Sequence, residues 1–305
     1  MNTMNEIIKF EKRNSKFEKK FKPKFVKKNM KLYSIETGRF KLDGGAMFGV
    51  VPKTIWNKLN PADDNNMISL AMRCLLIEDG NRLMLIDNGM GNKQDDKFFG
   101  HYFMHGDFSL EKSLAAHGFC TDDITDMVLT HLHFDHCGGS IKWNNDRTKF
   151  ETTFKNATYW IADKHWQEAL APNPREKASF LKENILPIEE SGQLKLIKEG
   201  ELFHPEIDLL YTIGHTNNMM HPIVPYNNSK LIYLADVIPT MAHIPTAYVM
   251  GYDVRPLESM KEKTSILQQA AANNHILFFE HDPFNEMCTV HVTEKGIRMN
   301  EILKL

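Results

Sequence analysis

An α+β fold of two β-sheets packed together with helices outside is what this 305-residue chain predicts. Two observations carry the prediction. Short apolar runs of strand length recur in both halves of the chain, and segments with helical spacing alternate with them. A hydrophobic content of 42% is enough for the core that such an arrangement must enclose.

The elements follow in order. Residues 1–29 form a basic extension, with ten Lys/Arg against three acids in residues 1–28 and with Phe10, Phe17, Phe21 and Phe25 interleaved. This extension has too little apolar area to pack alone and is expected to be disordered, although its pattern also suits an amphipathic helix on an anionic surface. Met30 opens the first strand and is an alternative start for the chain; the domain proper is expected to span residues 30–305. Ala71–Glu78 and Arg82–Asp87 flank Asp79-Gly80-Asn81, a turn between hairpin partners. Ser109–His117 has helical spacing and stops at Gly118. Asp126–Thr130 and Trp160–Ala162 read as strands, and His165–Leu170 opens a helix that Pro172 and Pro174 break. In the second half Leu194–Ile197, Ile207–Thr212, Leu231–Ala235 and Ile276–Phe279 are strands, with a helix over Leu257–Ala272.

Charge and cysteine usage narrow the function. A net charge of -2 offers no overall attraction to nucleic acid or membranes, and no apolar run reaches the roughly 18 residues of a membrane span. Cys74, Cys120, Cys137 and Cys288 show no CxxC spacing and read as reduced, mostly buried thiols. With no signal-peptide pattern, the expected compartment is the cytoplasm.

The chemistry concentrates in His131-Leu132-His133-Phe134-Asp135-His136, which directly follows a strand. In an extended segment His131 and His133 project to the same side and can share one metal. Asp135 and His136 come where the chain turns and can reach a second, and Gly138-Gly139 allows close backbone approach. Imidazole and carboxylate donors suit zinc and other borderline divalent ions.

Extended to Thr130 through Gly139, this segment resembles the metal-binding motif of the metallo-β-lactamase-fold hydrolase superfamily, whose fold is a four-layer αββα sandwich. Gly214-His215-Thr216, Leu234-Ala235-Asp236 and Phe279-Glu280-His281-Asp282 resemble its later motifs. The resemblance implies that His131, His133 and His215 bind a first metal, that Asp135, His136 and His281 bind a second, and that Asp236 bridges them. The implied cofactor is two divalent ions, zinc first, with manganese, cobalt and iron as alternatives, holding a bridging hydroxide that attacks the substrate. Asp135 is then also the catalytic acid that passes a proton to the leaving group, and Asp87 hydrogen-bonds a ligand histidine.

Asp43 through Lys53 is similar to a loop in the subgroup of N-acyl homoserine lactone lactonases and methyl parathion-type hydrolases. This marks Met47 and Phe48 as candidate substrate contacts. The aromatic stretch Phe98–Met104 adds Phe103, and His243 joins them as the histidine that follows the bridging aspartate. Subgroup members are often homodimers. Two departures bear on substrate: Met219 replaces the second histidine of the GHTPGH pattern, and no tyrosine follows Asp236. A lactone or ester is the expected substrate, with a phosphotriester as the alternative of the same fold. From another class stands a metal-stabilised or nucleic-acid-binding module.

Overall fold

The computed structural model describes residues 30–305; the basic extension and its expected disorder lie outside the described residues. The elements run β1 (Lys31–Asp43), α1 (Gly44–Phe48), α2 (Lys53–Trp56), β2 (Met67–Asp79), β3 (Arg82–Ile86), α3 (Asp96–Gly100), α4 (Leu110–Ala116), β4 (Asp126–Val128), α5 (Phe134–Cys137), β5 (Ile141–Trp143) and β6 (Phe150–Thr152). They continue β7 (Thr158–Ala162), α6 (Asp163–Leu170), α7 (Lys182–Glu190), β8 (Leu194–Ile197), β9 (Asp208–Thr212), β10 (Met219–Tyr226), β11 (Ser229–Tyr233), α8 (Pro256–Asn273), β12 (Ile276–Phe278), β13 (Met287–Thr293) and β14 (Gly296–Leu303).

One six-stranded sheet has the order β1-β2-β3-β4-β7-β8, and the other β14-β13-β12-β11-β10-β9. Both are mixed: β3, β4, β7 and β8 run parallel, as do β11 and β12, and the remaining pairs are antiparallel. The period of two in a strand decides which core each side chain joins. Along β2 and β3, Leu75, Ile77, Met84 and Ile86 enter the core shared with the second sheet. The alternating Cys74, Leu76, Leu83 and Leu85 meet Leu110 and Leu114 of α4, Trp166 of α6, and Ile185 and Ile188 of α7. On the other side α8 packs through Ile266, Leu267 and Ala270, which completes the four-layer αββα sandwich. Each such side chain, fully buried, contributes about 1.5–3 kcal/mol.

The β2–β3 hairpin closes as its turn chemistry requires: Asp79 pairs with Arg82, and Gly80 takes a φ of 62°. Ser109 caps α4 by accepting from Lys112 N. Strand β10, next to the edge strand β9, falls outside the apolar-run pattern, because Pro222 and Pro225 each lack an N–H and argue against a strand there. Its pairing with β9 and β11 is carried by the other residues and by burial of Met219, Met220 and Val224. The C-terminal hairpin of β13 and β14 also lies outside the pattern, since most of β14 is exposed and only partly apolar. No helix among the described residues is long and apolar enough to cross a membrane.

Candidate metal centre

Five loops, following β3, β4, β9, β11 and β12, deliver Asp87, the 131–136 segment, His215, Asp236 and His281 to one place. The rims of the two sheets are joined there by backbone bonds, from Met220 N to Thr130 O (2.9 Å), Ala71 N to His281 O (3.1 Å) and Arg73 N to Glu280 O (3.0 Å). Beyond β4 the backbone leaves the sheet, and its amides are taken by other partners. Asp87 accepts from Thr130 N at 2.8 Å, His165 Nε2 accepts from Leu132 N at 2.8 Å, and Ser179 O accepts from Phe134 N at 3.0 Å. His133, in extended conformation, then caps α5, so Asp135 and His136 stand on the first turn of that short helix. The Gly138-Gly139 pair is required by close approach: a Cβ at Gly138 would lie 2.2 Å from Met90 O, and one at Gly139 would lie 2.4 Å from Asn88 O.

Asp236 lies at the middle of the cluster. Its Oδ2 is 3.0 Å from His215 Nε2 and 3.8 Å from His131 Nε2. Its Oδ1 is 3.0 Å from His281 Nε2 and 3.5 Å from His136 Nε2. His133 Nδ1 approaches His215 Nε2 at 3.2 Å, and His281 Nε2 approaches His136 Nε2 at 3.1 Å. Asp135 Oδ2 is 3.8 Å from His281 Nε2. Ala235, just before the aspartate, has a φ of 41°, a backbone cost that places Asp236. All seven side chains named from the sequence therefore meet, in two groups that share Asp236.

The ring nitrogens facing away from the centre show what those facing in can do. His281 Nδ1 donates to Ala71 O at 2.8 Å, and His215 Nδ1 to Asp253 Oδ1 at 2.9 Å. His136 Nδ1 donates to Asp87 Oδ2 at 3.1 Å; His131 Nδ1 meets Thr130 Oγ1 at 3.1 Å, and His133 Nε2 lies 3.6 Å from Glu176 Oε1. A ring that gives its proton outward in this way turns a lone pair inward. Lone pairs 3.1–3.2 Å apart repel unless a cation lies between them. Two buried atoms of the centre, His131 Nε2 and Asp236 Oδ1, also have no hydrogen-bond partner. Convergent imidazole lone pairs, carboxylate oxygens and orphaned buried atoms fit divalent metal ions.

The electrostatics agree. Burial disfavours charge on every ring. At His215, Asp236 and Asp253 outweigh it and push the pKa up to about 10; at His281, Asp236 does most to bring it to about 9. His131 is held well below its ordinary range by burial and by the neighbouring His136 and His133. Burial likewise opposes charge on Asp236, but His136, His281 and His215 hold its carboxyl well below the usual carboxylate range. At His215 and His281 carboxylates thus outweigh burial, whereas at His131 burial prevails.

The structure also corrects part of the sequence reading. Met47 and Phe48 are sealed in the core, and Phe48 stacks between Trp56 (5.3 Å) and His243 (4.3 Å). His243 is buried too, its Nε2 donating to Met47 O at 2.9 Å. These three are buried support for the wall: the short helix α1 turns Met47 and Phe48 inward, and His243 packs on them from the turn at Met241–His243. Phe103 has a φ of 46° and is half exposed; its neighbour Tyr102 is the residue that packs on Phe134, at 4.7 Å. His221 is engaged within the second sheet by Thr212 Oγ1 at 2.8 Å, away from the centre. Cys137 donates its thiol to Leu132 O, and burial pushes its pKa up to about 12.

Glu176, Asp253 and Glu280 escaped the sequence reading. Only Glu280 carried a local signal, its place beside His281. Glu262 of α8 escaped as well: it accepts from Ile213 N at 2.7 Å and Gly214 N at 3.0 Å, the two amides that precede His215. Burial raises its pKa to about 7 against the pull of those amides. A folded pKa above the unfolded value contributes stability that is full below about 4.5 and lost as pH rises through about 7. Urea unfolding of wild type and Glu262→Gln should therefore show a stability difference that changes by about 1–3 kcal/mol between pH 4.5 and 8, with wild type losing stability as pH rises. A difference independent of pH would contradict the shift.

The metallo-beta-lactamase superfamily model matches residues 73–281, more than half of the chain. The chain belongs to this superfamily. The match begins in β2 and ends on His281, so it includes all seven clustered side chains. Among curated superfamily proteins, the N-acyl homoserine lactonase of Bacillus cereus is 25% identical over 268 residues, covering 83% of this chain and 93% of that one. Among solved superfamily structures, a probable metal-dependent hydrolase from Staphylococcus aureus has 27% identity and a TM-score of 0.81, covering 90% of this chain and 97% of that one. The dizinc quorum-quenching lactonase AidC, solved with a product, has 20% identity and a TM-score of 0.73, covering 91% and 96%. The superfamily fold is thereby shared over nearly the whole described chain, and the chain is a hydrolase by family.

Proposed function

We propose that this hydrolase opens a lactone or related ester, an N-acyl homoserine lactone in the first instance, using two divalent metal ions. The observation that carries the reading is Asp236, whose Oδ2 faces His215 and whose Oδ1 faces His281, each at 3.0 Å. His131, His133 and His215 would hold the first ion, Asp135, His136 and His281 the second, and Asp236 both. Nitrogen and oxygen donors without a thiolate suit zinc. Ions bound there supply an activated water and an electrophile for the acyl oxygen. The lactonase relatives at 25% identity support the substrate class.

The chain's own groups do the rest. Asp135, on the first turn of α5 and 8% exposed, orients the attacking water and returns a proton to the departing alkoxide oxygen. Phe134 anchors an aromatic wall through Phe98 (5.4 Å) and Tyr102 (4.7 Å), which excludes water beside the acyl group. No tyrosine stands among Val237, Ile238, Pro239 and Thr240. That absence favours phosphotriester hydrolysis as the second reading.

Zinc-loaded protein incubated with acyl homoserine lactones of several chain lengths should release acid. Asp135→Asn should lower kcat by roughly 10²–10⁴-fold, the usual contribution of a positioned proton donor. A parallel phosphotriester substrate separates the two readings. No acid release from any lactone, with Asp135→Asn equal to wild type, would sink the lactone assignment.

A further inference from the structure

We infer that Glu280 is a positioning residue for His136 and, through it, sets how firmly the Asp135, His136 and His281 position retains its metal. The inference rests on the two-metal reading above. His136 turns Nε2 to the centre and Nδ1 away from it, and two carboxylates meet at Nδ1: Asp87 Oδ2 at 3.1 Å and Glu280 Oε2 at 3.0 Å. Their duties differ. Asp87 accepts the ring N–H and also holds Thr130 N (2.8 Å) and Thr130 Oγ1 (2.7 Å), so it organises the loop whether or not His136 binds anything.

Glu280 has no such second task. Its side chain is wholly buried, and the groups that reach its oxygens are His136 Nδ1, at 3.0 Å, and the Tyr233 phenol. That phenol also lies 3.2 Å from Arg73 O. Burying a carboxyl is costly, and a positive charge nearby is what offsets it. The Glu280 backbone is anchored by Arg73 N at 3.0 Å, so its side chain is delivered to the back of His136 by the pairing of the two sheet rims. Negative charge behind a ligand imidazole raises its basicity and its hold on metal. The effect is confined to one position. His131, His133 and His215 are backed by Thr130, Glu176 and Asp253, and His281 by the Ala71 carbonyl.

The test is stepwise Co²⁺ loading of the chelator-stripped full chain, followed by calorimetry and by visible absorption, which distinguishes the two donor sets. Wild type should take up two equivalents. Glu280→Leu should bind the ion at the Asp135, His136 and His281 position about 10–100-fold more weakly and leave the other within about 3-fold. Glu280→Gln, which keeps an acceptor and loses the charge, should fall between them, and it decides the matter if the leucine variant does not fold. Unchanged affinities overturn the inference. So does equal weakening at both positions, which would mark a general structural role. A third equivalent in wild type, lost in Glu280→Leu, would make Asp87, His136 and Glu280 a metal site in their own right and overturn it too. Uptake of one equivalent by wild type would instead refute the two-metal reading, and this inference with it.

Discussion

Asp236→Ala is expected to abolish retention of both metal ions and to lower activity by more than the roughly 10–100-fold that loss of a partner behind a ligand costs. The reason is geometric. One carboxylate serves two groups of imidazoles, with Oδ2 toward His215 and His131 and Oδ1 toward His281 and His136. Any other single ligand belongs to one group, so its loss leaves the second intact. Removing Asp236 takes an anionic donor from each and leaves lone pairs facing one another at 3.1 and 3.2 Å. Asp236→Asn keeps a single carbonyl oxygen and should retain one equivalent at most. Metal analysis after dialysis, beside an assay of kcat, measures both; two tightly held equivalents in the alanine variant would refute the bridging role.

The second large effect falls on stability. Arg73→Ala should cost about 3 kcal/mol, the low end of the range for breaking a buried ion pair from one side, because Glu36 is only partly buried. Arg73 is 2% exposed. Its Nε and Nη2 lie 2.8 and 2.7 Å from Glu36 Oε1, and its Nη1 donates to the carbonyls of Phe279 (3.0 Å), Asp282 (2.9 Å) and Asn285 (3.2 Å). The side chain thus fastens β2 of one sheet to the loop after β12 of the other, the loop that carries His281. Its removal leaves three carbonyls short of a donor and a partly buried carboxylate whose remaining cation is Arg39, at 3.7 Å from Glu36 Oε2. Lysine cannot replace the planar fork, so Arg73→Lys should recover little of the loss. Denaturant unfolding gives the cost, and a loss within 0.5 kcal/mol, as for an ordinary surface residue, would refute it.

Much of the candidate site could be read before the fold was known, because its parts are local. His131, His133, Asp135 and His136 lie within six residues, and each of the other three candidates, which the family resemblance picks out, follows a short apolar strand. Apolar alternation and turn chemistry located β2, β3, β8, β9, β11 and α8 to within a few residues, since they depend on neighbours along the chain. Strand β10 escaped because its two prolines oppose the local preference, and packing on both sides overrides them.

What the sequence alone determined is therefore the αββα plan and the identity of seven metal-ligand candidates. Tertiary structure decided that Asp236 faces both groups, and that Glu176, Asp253 and Glu280 join Asp87 behind the candidate ligand rings. It also decided that Met47, Phe48 and His243 are buried support for the wall. The division has one physical cause. Periodicity and turn preference act over a few residues, whereas a carboxylate finds its imidazole through contacts that span up to 146 positions, as from Asp135 to His281.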